Sequence, residues 1–82
     1  MNIGVIGVGY WGKKVVGEYL DLATEGVIDK VGICDAREDI LKSYKNNNNV
    51  NIIEKDYKKF VSNNSIDAVH ICVNNNNHYL VA

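Results

Sequence analysis

Residues 1–16 read MNIGVIGVGYWGKKVV, and the stretch from Gly7 to Gly12 has the spacing G-x-G-x-x-G. The spacing alone decides little in a chain that contains 7 glycines. Its context is more informative. Residues 2–7 are apolar and rich in β-branched side chains, which predicts a strand, and from Trp11 onward apolar residues recur at helical spacing. The stretch therefore predicts a strand, a glycine turn and an amphipathic helix in succession.

The rest of the chain repeats this alternation. Strands are predicted at residues 27–34, 50–53 and 66–73, and short helices at 38–44 and 57–61, the second with Asp56 as its N-cap. The last strand, IDAVHICV, is the most continuous apolar run and is expected to be a fully buried strand. The strand order given below would leave it as an exposed edge of these residues, which indicates the N-terminal part of a longer protein. The order βαβαβαβ predicts an α/β fold of the Rossmann type, a doubly wound parallel sheet with strand order 3-2-1-4. We expect the 82 residues to be part of one such domain.

The composition favours a folded, cytoplasmic protein. The net charge is −1 and 46% of the residues are hydrophobic. No basic stripe indicates nucleic acid, and no apolar run is long enough for a membrane span. The opening residues lack the basic segment of a signal peptide. Cys34 and Cys72 are predicted on strands that are not neighbours, so both should be free thiols, and their spacing does not fit a zinc site.

Each glycine of the turn has its own expected role. Gly7 permits the tight turn, Gly9 lets the backbone approach a pyrophosphate, and Gly12 allows the helix to pack close to the strand. The amides of Tyr10 and Trp11 would face the phosphates from the positive end of the helix dipole. The pattern predicts a dinucleotide-binding turn, and the alternative is a structural turn without a ligand. Within the helix, Gly17 is expected to mark close packing on the sheet.

An acidic residue at the end of the second predicted strand strengthens this prediction. Asp35 stands a little over twenty residues after the glycines, where a carboxylate accepts hydrogen bonds from the adenosine ribose. Its alternative role is that of a helix cap. Arg37 follows two residues later and is suited to hold a 2′-phosphate or to stack on adenine. Because a carboxylate repels a 2′-phosphate, we expect NAD to be preferred, with NADP possible.

Other polar residues have less specific interpretations. Lys13 and Lys14 are expected on a solvated helix face, with phosphate contact as the alternative. His70 is expected to be a core histidine paired with the backbone. His78 follows the fourth strand at the edge where ligands bind, but capping or packing at a helix start is its preferred interpretation. No metal site is expected.

Two segments carry a family resemblance. IGVIGVGYWGKK and IDAVHICVNNNNHYLVA resemble the glycine motif and the fourth-strand segment of the N-terminal domain of the Gfo/Idh/MocA oxidoreductases. In that family the strand is followed by Thr-Pro-Asn-x-x-His. Val73 and Asn74 stand where Thr-Pro is usual, whereas Asn75 and His78 match the Asn and the His. The resemblance therefore implies that these four residues contact the cofactor, and that this loop lacks the rigidity of a proline.

The resemblance also implies an activity. It implies hydride transfer between NAD(P) and a sugar or cyclitol, and a homo-oligomeric parent protein. The family's catalytic lysine lies in a Glu-Lys-Pro motif beyond Ala82, and substrate binds to a second, C-terminal domain, so no catalytic residue is nominated in this chain. The alternatives are a non-catalytic Rossmann ligand sensor and a CoA-binding domain of the same topology.

Overall fold

The computed structural model describes residues 1–72, and residues 73–82 lie outside that part. The elements along the chain are β1 (Ile3–Ile6), α1 (Tyr10–Thr24), β2 (Val31–Cys34), α2 (Glu38–Lys42), β3 (Val50–Glu54), α3 (Tyr57–Val61) and β4 (Ala68–Ile71). They follow the predicted order βαβαβαβ.

The strands form one parallel sheet with the order β3-β2-β1-β4, which confirms the predicted Rossmann-type α/β fold. β1 lies between β2 and β4, with Ile3 opposite Val31 on one side and opposite Ala68 on the other. Because all strands run in the same direction, the glycine turn after β1 and the residues after β2 meet at one edge of the sheet. This edge is where α/β proteins of this topology bind ligands.

The two faces of the sheet have separate cores. On one face, Val5 and Ile33 are completely buried and pack in a cluster with Val16 of α1 and Leu41 of α2. On the other face, Phe60 of α3 is buried in a second cluster. Helices therefore cover both faces, as the predicted double winding requires.

Glycines in the two central strands make room for the Phe60 ring. A Cβ atom added to Gly4 would lie 2.8 Å from Cε2 of that ring, and one added to Gly32 would lie 3.2 Å from Cε1. The absence of side chains at these two positions lets the ring lie directly on the sheet. α3 can therefore be held by one aromatic side chain although it has only five residues.

A Schellman motif ends α1 and shortens β2 relative to the prediction. Gly26 has φ 81°, its amide donates to the carbonyl of Ala23, and the amide of Val27 donates to that of Leu22. The chain needs these residues to leave the helix, so β2 begins at Val31 and not at residue 27. The start predicted for this strand was wrong, although its end was correct.

The fourth strand is the exposed edge that the predicted order gives, so the expectation of full burial was wrong and that of an exposed edge is confirmed. Ala68, Val69 and His70 are exposed, because β4 is an edge strand that pairs with β1 and has no second partner strand within residues 1–72. His70 is correspondingly not a core histidine. Its Nδ1 lies 3.0 Å from the hydroxyl of Tyr19 on α1, on the exposed surface.

Local predictions had mixed outcomes. Asp56 caps α3 as expected, since its carboxylate accepts a hydrogen bond of 2.9 Å from the amide of Lys58. Cys34 and Cys72 are free thiols, also as expected. Gly17 does not mark a close approach to the sheet, because an added Cβ would meet nothing within 4 Å. Among the helices of residues 1–72, none combines the length and the apolar character that crossing a membrane requires.

Candidate functional site: the glycine turn and the ends of the first two strands

The glycine turn depends on close backbone packing. Gly7 has φ 86°, a conformation that favours glycine, and its amide donates to the carbonyl of Cys34 at 2.9 Å. A Cβ atom added to Gly12 would lie 1.8 Å from the carbonyl oxygen of Gly7. Only glycine at this position lets α1 start so near to the end of β1. The roles predicted for these two glycines in the turn geometry are therefore confirmed.

The N-terminus of α1 lies at the same edge and presents backbone donors that have no intrahelical partner. Gly9 is the N-cap, provides no side-chain cap, and is followed by a first turn without acidic residues. The amides of this turn precede the first intrahelical hydrogen bond, which runs from Lys13 to the carbonyl of Gly9 at 2.8 Å. Amides without an intrahelical partner at the positive end of a 15-residue helix favour an anion such as a phosphate.

Two aromatic side chains stand beside these amides. Tyr10 and Trp11 are exposed by 73% and 70%, and their rings meet edge to face at 5.6 Å between centroids. The ammonium of Lys14 lies 4.5 Å from the Tyr10 ring centroid and 5.0 Å from that of Trp11. Lys14 is exposed, as predicted, and also contacts both rings.

Asp35 connects the glycine turn to the end of β2. It is the one buried charged residue within residues 1–72, and its Oδ2 accepts a hydrogen bond of 2.8 Å from the amide of Val8. Its Oδ1 accepts another of 2.9 Å from the amide of Arg37. Asp35 does not cap α2, because the N-cap is Arg37 and no side chain caps it. The carboxylate instead holds the glycine turn in position.

The Arg37 side chain supplies two further hydrogen bonds to this carboxylate. Its Nε donates to Oδ1 and its Nη2 to Oδ2, both at 3.0 Å, which is a bidentate pair. Burial opposes ionisation of Asp35, but the hydrogen bonds from Arg37 and Val8 together hold the pKa of Asp35 below its usual value. The carboxylate is thus charged at neutral pH and paired. The Arg37 guanidinium also lies over Gly9, where an added Cβ would be 3.2 Å from Nη2.

A cleft of about 260 Å³ opens between the glycine turn and α2. Residues from both sides line it: Val8, Gly9, Tyr10, Lys13, Arg37, Ile40, Ser43 and Tyr44. Pockets that enclose a whole drug-sized ligand have roughly 300–1,000 Å³, so this cleft suits one end of a longer molecule. Lys13 is exposed, as predicted, and also borders the candidate site.

Sequence reasoning found some of these residues and missed others. Gly7, Gly9, Gly12, Asp35 and Arg37 are brought together as the pattern predicts. The amide of Val8 and the cleft side chains Ile40, Ser43 and Tyr44 were missed as site residues. Ile40 and Tyr44 lie at helical spacing within the predicted helix 38–44, but nothing local in the sequence indicates that these side chains border the glycine turn.

The remaining predicted residues follow β4. Val73, Asn74, Asn75 and His78 lie outside the described residues, so their expected contacts with a cofactor stay predictions. In the part of the chain that is described, no group of three or more His, Cys, Asp or Glu residues is arranged to hold a metal ion.

Comparison with known proteins decides the family. The model of the oxidoreductase family with an NAD-binding Rossmann fold, GFO_IDH_MocA, matches residues 1–82. The chain belongs to this family. The Gfo/Idh/MocA resemblance of the two sequence segments is thereby confirmed, and the glycine turn is that of an NAD-binding domain.

A solved structure agrees with this Gfo/Idh/MocA assignment. The chain is similar to a probable dehydrogenase from Thermotoga maritima, with 32% sequence identity and a TM-score of 0.74. The match covers 99% of this chain and 23% of that one, so the chain spans less than a quarter of the length of this relative. No curated protein matches the chain.

Proposed function

We propose that residues 1–82 form the cofactor-binding part of an NAD(P)-dependent oxidoreductase that transfers hydride between the nicotinamide and an alcohol or ketone carbon of a sugar or cyclitol. The observation that carries the proposal is the glycine turn. Gly12 packs against Gly7 at a distance that excludes any side chain, and the first-turn amides of α1 open beside the buried Asp35. A pyrophosphate and the adenosine ribose next to it fit this combination of donors and acceptor.

Different residues of the chain would bind different parts of the cofactor. The turn from Gly7 to Gly12 and the amides of Tyr10 and Trp11 would bind the pyrophosphate. Asp35 would accept hydrogen bonds from the ribose hydroxyls, with NAD preferred. The segment containing Asn75 and His78 would lie near the nicotinamide, on the other side of β1. When bound, the dinucleotide supplies the site that accepts or donates the hydride.

The other requirements of the reaction belong to the parent protein. A substrate domain and the acid/base lysine of the family pattern would follow residue 82, which agrees with the 23% share of the dehydrogenase that this chain matches. We further propose a cytoplasmic, homo-oligomeric parent without nucleic-acid or membrane partners. No residue of this chain is proposed to be catalytic.

The proposal is tested on the full-length protein by titration with NADH, followed through the quenching of protein fluorescence. We expect saturable binding that Asp35→Ala weakens by about tenfold, because hydrogen bonds to a charged group are lost. Asp21→Ala removes an exposed carboxylate from α1 and should leave the affinity unchanged. Equal affinity of the wild type and Asp35→Ala would remove the ribose role.

A second assay separates the activity from binding alone. The protein is incubated with NAD and a panel of sugars and cyclitols while the absorbance of reduced nicotinamide is followed. Turnover with a member of the panel is the expected result. Binding of NADH without turnover on any alcohol or ketone would favour the ligand sensor, and preferential binding of CoA would favour the CoA-binding domain.

A further inference from the structure

The Asp35 carboxylate is saturated by groups of its own chain. Four hydrogen bonds reach it: two from the backbone amides of Val8 and Arg37, and two from the Arg37 guanidinium. A carboxylate has about four lone-pair sites, so these donors leave no free position for a ribose hydroxyl. A nucleotide can use Asp35 as an acceptor only if one of these donors leaves.

The Arg37 side chain is the donor that can leave. The two amides are fixed by the backbone of the glycine turn and of the segment after β2. The Arg37 side chain, in contrast, is 57% exposed, whereas that of Asp35 is 7% exposed. Rotation of the arginine would open one position on each carboxylate oxygen and leave the hydrogen bond from Val8 intact. The glycine turn would therefore keep its geometry while Arg37 moves.

The same pairing changes the charge that a nucleotide meets. An unpaired aspartate at this position repels a 2′-phosphate, but the Asp35–Arg37 pair is neutral. Lys13 lines the same cleft as Arg37. The acidic residues that follow Arg37, Glu38 and Asp39, are exposed on the first turn of α2 and are not among the residues that line the cleft. Lys13, Arg37 and the Asp35 carboxylate together carry a net charge of +1 whichever way the guanidinium turns, so a phosphate in the cleft meets a net positive charge.

We propose that Arg37 is a specificity residue that exchanges partners. In the free protein it is paired with the Asp35 carboxylate, and it turns to the 2′-phosphate when the dinucleotide carries one. The protein would therefore bind NADP in addition to NAD. The proposal rests on the proposed dinucleotide site. Both cofactors must displace the guanidinium, but only the 2′-phosphate gives it a new bidentate partner. Arg37 therefore opposes the binding of NAD and favours that of NADP.

The test is the pair of dissociation constants for NADH and NADPH, measured by calorimetry on the full-length protein. Arg37→Gln should bind NADH several-fold more tightly, because the carboxylate is already free, and NADPH about tenfold more weakly, because a charge-assisted contact is lost. Arg37→Lys keeps the charge without the fork and should bind NADPH with an intermediate affinity. Lys59→Gln removes an exposed positive charge from α3, on the other face of the sheet, and should change neither constant.

The changes expected in the dissociation constants for NADH and NADPH have opposite signs, so the possible outcomes can be distinguished. Equal shifts of both constants in Arg37→Gln, or no shift in either, overturn the exchange while the proposed function stands. The absence of NADPH binding to a wild type that binds NADH overturns it in the same way. If the wild type binds neither dinucleotide, the proposed function fails and the role of Arg37 fails with it. Far-UV circular dichroism of each variant checks that the fold is retained.

Discussion

Replacement of Gly12 by alanine tests the close contact on which the glycine turn depends. The added Cβ would lie 1.8 Å from the carbonyl oxygen of Gly7 and 2.8 Å from its carbonyl carbon. Both are backbone atoms, and the amide of the same residue is bonded to Cys34 in β2. No flexible side chain can move aside, so either α1 or the turn must shift.

The expected loss of stability follows from this geometry. Overpacking of a rigid interior generally costs about 1–3 kcal/mol and occasionally more. Alanine in a helix is favoured over glycine by up to about 1 kcal/mol, which offsets part of the cost. Because the clash is with backbone, we expect Gly12→Ala to lower the free energy of unfolding by about 2 kcal/mol or more. It should also weaken the binding of NADH, since the first-turn amides of α1 would be displaced.

Gly17 provides a matched control in the same helix. An added Cβ at this position would meet nothing within 4 Å, so Gly17→Ala gains helix propensity without a clash. We expect this variant to be more stable than the wild type by about 0.5–1 kcal/mol. Urea denaturation of the three proteins, followed by circular dichroism at 222 nm under identical conditions, measures both changes. The argument is refuted if Gly12→Ala unfolds at the wild-type midpoint, or if both alanines destabilise the chain equally.

Three further perturbations test the core, the carboxylate and a buried thiol. Phe60→Ala should lower the free energy of unfolding by about 3–5 kcal/mol in urea denaturation, and a loss under about 1 kcal/mol would contradict the close packing of its ring on the sheet. Because the pKa of Asp35 is lowered in the folded protein, its carboxylate stabilises the fold above the unfolded pKa of about 3.9. This stability is lost as the pH falls through the folded pKa. As the pH is lowered from about 6 to about 2, the urea midpoint should therefore fall less steeply for Asp35→Asn than for the wild type. Parallel curves would show that the native pKa of Asp35 is not lowered. Burial raises the pKa of the Cys34 thiol to about 11. This thiol should therefore resist iodoacetamide at about pH 8 in the native protein and react with it in urea. Rapid labelling of the native protein would contradict the burial of Cys34.

Much of the fold could be predicted because its signals are local. The spacing of apolar residues along the chain distinguishes a strand from a helix, so the order of elements followed from residues a few positions apart. Right-handed crossovers between parallel strands then leave few ways to arrange the sheet. The capping of α3 by Asp56 is equally local, since donor and acceptor are two residues apart. The glycine spacing predicted the turn for the same reason.

Burial and partner choice depended on the tertiary structure. The apolar run of β4 looks like an interior strand, but its exposure depends on which strands lie beside it, and within residues 1–72 it has β1 alone. Gly17 was predicted to mark close packing on the sheet, yet a Cβ atom added there would meet nothing within 4 Å. Asp35 was predicted as a ribose acceptor from its position, but its hydrogen bond from the amide of Val8, 27 residues away, arises only when two strand ends meet. Its pairing with the Arg37 guanidinium, two residues away, depends on the side-chain conformation of the folded chain. Periodicity records which side of an element is apolar, whereas the donors that occupy a hydrogen-bonding group depend on the conformation that the folded chain adopts.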